Sequence, residues 1–159
     1  MDDLLRMYQW IKDTRTTLFE YLDQLTPGDF TREVPGFGHG SVRDTMVHTI
    51  DSYRFWISLY NREEHQPLTI RDCQSVTRLR RLVREIDEMM ESLVRHNGGW
   101  LDEVFTRRID GVDRPLRFSV RWLFTHMITH EFHHKGQVVS MGRALGYEPP
   151  DTDLSLPEP

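Results

Sequence analysis

At 159 residues the chain has the length of one folded unit with a proper core, and residues 1–159 are read as a single domain. Its formal net charge of −5 argues against nucleic acid as a partner, because such proteins carry a basic excess. The lone cysteine, Cys73, excludes an internal disulfide. No run approaches a membrane span and Asp2 and Asp3 stand where a signal peptide would be basic, so the expected setting is the cytoplasm, away from membranes.

The first predicted helix runs from about Asp3 to Leu25. Leu4, Tyr8, Ile11, Leu18, Leu22 and Leu25 fall on one face. The stripe is interrupted near Thr14 and Arg15, and Arg15 is read as laying its stem on apolar surface with its head in water. Thr26-Pro27-Gly28 ends the helix. A loop from Asp29 to Gly40 follows, with Pro35, Gly36, Gly38 and Gly40, and His39 within it is read as solvent-exposed.

Ser41 is an N-cap and Asp44 its partner, so a second helix runs to about Tyr60. His48, Ser52, Phe55 and Leu59 share one face of it. Asp51 and Ser52 lie three and four residues beyond His48, placed to orient its ring or hold a water. On its own, His48 reads as a hydrogen-bonded core histidine. It becomes a ligand candidate only if its face meets other histidines.

Asn61 to Leu68 is a polar connection, with His65 read as a surface residue. Thr69 is the expected cap of a third helix that carries Val76, Leu79, Val83, Ile86, Met90 and Leu93 in alternating threes and fours, and Asn97-Gly98-Gly99 ends it. Its basic cluster, Arg78, Arg80, Arg81 and Arg84, is diluted by Glu85, Asp87, Glu88 and Glu91 and reads as a solvated face. Cys73 reads as an ordinary small residue. Between Trp100 and Phe118, Asp110-Gly111 suggests a short hairpin or extended crossover. The tail from Glu148 to Pro159 is proline-rich and acidic, and is expected to pack along the bundle or fray.

The fourth predicted helix, Ser119 to Gly146, carries His126, His130, His133 and His134, four of the chain's eight histidines. Leu123, Met127, His130, His134, Gln137 and Met141 form the seam that such a helix buries. An imidazole buried without a partner costs about 1–3 kcal/mol. Two on one seam, four residues apart, point to a divalent metal ion. With one cysteine in the chain, a cysteine-rich structural site is excluded. A three-histidine site with an open position remains, and His48 is chosen as third ligand to His130 and His134. Gln137, Asp51 and His126 are candidates to support it. His133 is read as exposed or as a dimer contact. No residue is assigned a catalytic role. Four amphipathic helices imply an all-α, four-helix bundle with long connections.

Two stretches, SVRDTMVHTIDSYRFW around His48 and HMITHEFHHKGQVVSMGRALG around His130 and His134, together with the Gly146-Tyr147-Glu148-Pro149-Pro150 ending, resemble the DinB family of metal-binding bundle proteins, which is distinct from the DNA polymerase that shares the name. Lys135 stands where arginine is commoner in that family. The resemblance implies a four-helix bundle, a homodimer as partner state, and zinc or nickel held by His48, His130 and His134. It also implies a small-molecule substrate, with thiol S-transfer using bacillithiol, mycothiol or glutathione as the leading activity. A metal-dependent hydrolase and a non-catalytic metal-binding or interaction module are the alternatives. His130 to His134 also spell H-E-x-x-H, the letters of a zinc protease. The family resemblance explains the histidines without a protease role, and Glu131 is read as a surface carboxylate.

Overall fold

The computed structural model describes residues 2–154. Four long helices carry the architecture: α1 (Asp2–Leu22), α3 (Val42–Asn61), α4 (Val76–His96) and α5 (Val120–Ala144). A five-residue helix, α2 (Pro27–Thr31), interrupts the first connection, and a 3-10 turn at Ile70–Asp72 precedes α4. Two three-residue strands, β1 (Phe105–Arg107) and β2 (Leu116–Phe118), pair antiparallel before α5. The structure is thus all-α apart from the predicted small hairpin.

Hydroxyl caps set where three of the long helices begin. Ser41, Ser75 and Ser119 each accept the backbone N–H three residues on, from Asp44, Arg78 and Trp122. Thr69, expected to cap the third long helix, instead caps the 3-10 turn through a reciprocal box with Asp72, and Ser75 starts α4. The end of α5 is closed by paired bonds from Gly146 N to Arg143 O and from Tyr147 N to Gly142 O. The first helix stops at Leu22, earlier than its apolar stripe, and hydrogen-bonded turns carry the chain on to Leu25, which stays buried.

The predicted seams form the core, with Tyr8, Leu18, Ile50, Tyr53, Leu79, Ile86, Met90, Leu123, Met127 and Met141 buried. Helix α3 packs against both α4 and α5, and α1 packs against α4. The contact of α3 with α5 brings the His48 face onto the His130 and His134 face. The outer tail expectation falls partly on residues 155–159, which lie outside the described residues. At the start of the tail, the Tyr147 hydroxyl donates to Asp29 and accepts from the Thr26 N–H, tying the end of α5 to α2.

The expectations for two charged side chains are corrected. Arg15 does not keep its head in water; it is 5% exposed. Its guanidinium donates to both oxygens of Glu131, at 2.7 and 2.8 Å, and to Asp87. Glu131 is not a surface carboxylate; it is also 5% exposed and accepts a further bond from Tyr53 at 2.5 Å. The reason is shared. Each charge breaks an apolar stripe from the opposite side of the core, so the two meet and satisfy one another.

Candidate metal centre

Helix α5 has two functional faces offset by a single residue. His130 and His134 look toward α3, while Glu131 and Lys135 look into the α1 side of the core. Burial alone pushes the Glu131 carboxyl up, but the Arg15 guanidinium outweighs it and holds the group below the usual range. Burial pushes the Lys135 amine down to about 8, and its Nζ donates to Thr14 Oγ1 over the Phe132 ring. Arg15 and Tyr53 together engage both oxygens of Glu131, so its carboxylate is committed and not free to serve a water at the histidines. The H-E-x-x-H letters therefore describe a salt bridge beside a histidine cluster, and the protease reading does not hold.

On the α3 side, four imidazoles converge from three places in the chain. His48 comes from the second turn of α3, His130 and His134 from the middle of α5, and His39 from the glycine-rich loop before α3. His39 lies stacked on His48, with ring centres 4.0 Å apart, and edge-on to His134 at 5.3 Å. His48 is 4.8 Å from His134 and 5.1 Å from His130, and His130 is 4.4 Å from His134. His39, His48 and His134 each turn one ring nitrogen toward a common point, all within 4.8 Å of one another. His39 is the residue that sequence reasoning missed. Nothing in a glycine-rich loop marks one histidine as buried. The available signal was its position two residues before the Ser41 cap, which ties it to the start of the helix that carries His48.

His130 sits at the edge of this group. Its Nε2 lies 3.1 Å from Ser52 Oγ, and Ser52 spends its own proton on the His48 carbonyl at 2.9 Å. The Ser52 oxygen thus accepts, His130 carries its proton on Nε2, and its Nδ1 keeps a lone pair. On His134 the arrangement is reversed. Nδ1 meets Gln137 Oε1 at 2.7 Å, and the Gln137 amide nitrogen faces His133 Nε2 at 3.2 Å. A carbonyl oxygen only accepts, so His134 carries its proton on Nδ1 and presents Nε2 bare, the tautomer a metal ligand needs. Gln137 therefore occupies the supporting position expected of it.

The other candidates take different places. Asp51 accepts the Leu68 N–H at 2.8 Å and meets His65 Nε2 at 3.2 Å, so it pins the connection after α3 and does not touch a cluster ring. His65 is partly covered and not a free surface residue. His126 stacks on Trp122 at 4.9 Å, lies edge-on to Trp56 at 4.9 Å, and is 5.9 Å from His130. His133 is exposed. Cys73 is fully buried near the start of α4, and burial raises its thiol.

The electrostatics suit a cation. Burial, reinforced by neighbouring imidazoles, lowers His48 and His130 to about 4 and lowers His134 as well. All three rings are neutral at pH 7, the form that ligates. Two bare nitrogens facing one another are destabilising without a shared proton or cation, and neutral imidazoles at this spacing fit a divalent first-row metal. The residues present fit such an ion.

The DinB family model matches residues 1–158. An uncharacterized protein of Bacillus subtilis (strain 168), YizA, is 24% identical over 151 residues, covering 92% of this chain and 90% of that protein. The crystal structure of a DinB-like protein from Bacillus cereus ATCC 10987 has the same fold, with a TM-score of 0.70 at 16% identity over 95% of this chain and 96% of that one.

Proposed function

The chain belongs to the DinB family, and from that premise we propose that it is a metal-dependent thiol S-transferase whose divalent ion, zinc or nickel, is held by His48, His130 and His134. One observation carries the reading: ring nitrogens of His48 and His134, from separate helices, lie within 4.8 Å of each other and of one on His39, and the His130 ring packs against those of His48 and His134 at 5.1 and 4.4 Å. When bound, a divalent ion supplies the Lewis acidity that keeps a small thiol as its thiolate at neutral pH.

The remaining work belongs to the chain. Gln137 fixes the His134 tautomer, and Ser52 fixes the orientation of His130. Both contacts hold rings ready and limit the reorganisation needed on binding. His126 stacks on Trp122, with Trp56 edge-on to both, and these rings are the aromatic surface beside His130 available to an acceptor molecule. The test is cobalt(II) substitution followed by a small thiol such as glutathione or bacillithiol. A new sulfur-to-cobalt absorption band is expected. A spectrum indifferent to every thiol, with ester or amide hydrolysis present, would replace this reading with a metal-dependent hydrolase.

A further inference from the structure

His39 is held at the cluster by local chain geometry. The loop that carries it is closed at its base by Val34 N donating to Gly40 O at 2.6 Å, and Val34 is anchored in the core. Gly36 and Gly40 both take positive φ, 93° and 76°, which allows the chain to reverse within so few residues. Ser41 N then donates to the His39 carbonyl at 2.9 Å, immediately before the cap of α3. The ring that results is half-buried and stacked on His48.

A stack at 4.0 Å between two imidazoles is ordinary ring packing, but it leaves the ring nitrogens of the pair without hydrogen bonds. His130 and His134 have ring nitrogens engaged by Ser52 and Gln137, whereas among the described residues no partner meets a ring nitrogen of His39 or His48. His39 also completes the tightest ligand group, with His48 and His134, while Nε2 of His130 is occupied by Ser52. A tetrahedral ion with bonds of about 2.0–2.1 Å needs donor atoms roughly 3.4 Å apart, a contraction of up to about 1.4 Å from the 4.8 Å limit observed here. A loop hinged on two glycines can supply that movement.

We propose that His39 is a fourth, displaceable protein ligand of the metal site. This rests on the reading that His48 and His134 hold a divalent ion. With His39 in place the site is closed by four imidazoles. With the loop lifted, three remain and one position opens, so His39 and an incoming small thiol compete for it.

Cobalt(II) titration of metal-free protein, followed by visible absorption and calorimetry, tests the assignment. The wild type is expected to bind one equivalent with the intense spectrum of a four-coordinate site. His39→Gly should still bind one equivalent, with affinity lower by about 10- to 100-fold, on the scale of losing a group that supports a metal site. Its spectrum should change and return toward wild type on adding free imidazole, which a merely structural role for His39 would not produce. Identical affinity and spectrum in wild type and His39→Gly, or no response of the variant to imidazole, overturns the fourth ligand and leaves the metal reading intact. A wild type that takes up no cobalt overturns both.

Discussion

The two buried polar clusters on either side of α5 are built from alternating residues of one stretch, His130 and His134 facing α3, Glu131 and Lys135 facing α1, yet they are satisfied in opposite ways. The α1 side is complete. Arg15, Asp87, Glu131, Tyr8 and Tyr53 bond to one another with opposite charges matched, and Lys135 finds Thr14. The α3 side is incomplete. His48, His130 and His134 are neutral, ring nitrogens crowd together, and only the outer edges of the rings are hydrogen-bonded. A finished network is a device for holding a helix in register. An unfinished one is a place for something to bind. The contrast separates fold from function within a span of six residues.

The largest effect should come from breaking the finished side. Glu131→Ala leaves the Arg15 guanidinium buried with one of its two carboxylate partners gone, and is expected to cost about 3–5 kcal/mol of stability in urea denaturation. A loss below about 1 kcal/mol would mean that the network is more hydrated than its burial implies. On the other side, His134→Ala should abolish stoichiometric metal uptake while metal-free stability stays within about 2 kcal/mol of wild type, since it removes one incompletely bonded ring. The two substitutions together sharpen the comparison. If Glu131→Ala emptied the site and left stability untouched, or His134→Ala unfolded the chain and spared the metal, the roles of the two faces would be reversed.

Gln137→Ala is expected to act more gently. It frees the His134 tautomer without removing a ligand, and should weaken metal affinity by about 10- to 100-fold in a competition titration with a chromogenic chelator. An unchanged affinity would mean that Gln137 merely covers the ring.

A further comparison is the pH dependence of the metal-free fold. His48 and His130 titrate near 4 in the folded chain and near the ordinary 6.5 when unfolded. Between those values the unfolded state binds more protons, so stability is fully present above pH 6.5 and falls as pH drops toward 4. Thermal melts of metal-free protein between pH 7.5 and pH 4 check the sign, and His48→Ala together with His130→Ala should flatten the slope. Stability that rose on acidification through this window would contradict the partly buried, neutral imidazoles.

How much of this was legible in the sequence differs between the same two regions. Periodicity exposed the four long helices, because the spacing of Leu, Ile and Val directly reports which face is buried. It exposed His134 and Gln137 too, since they sit on that seam and their contact lies within one turn. It misjudged Arg15 and Glu131. A charged residue in a stripe reads as solvated unless its partner is known, and this partner is 116 positions away. It missed His39 for a related reason. Loop residues carry no period, and what buries this one is a backbone closure between Val34 and Gly40 and the approach of α5. The Asp110-Gly111 signal did mark a β-turn, closed by Val112 N to Ile109 O, but pairing resumes only at Arg107 and Leu116, where Pro115 no longer has to donate.

Metal content of untagged protein, measured by mass spectrometry after exhaustive dialysis and reconstitution with zinc or nickel, bears most directly on the histidine cluster as a metal centre. One divalent ion per chain is expected in the wild type and none in His48→Ala. A folded wild-type chain that retains no ion under those conditions would contradict the account.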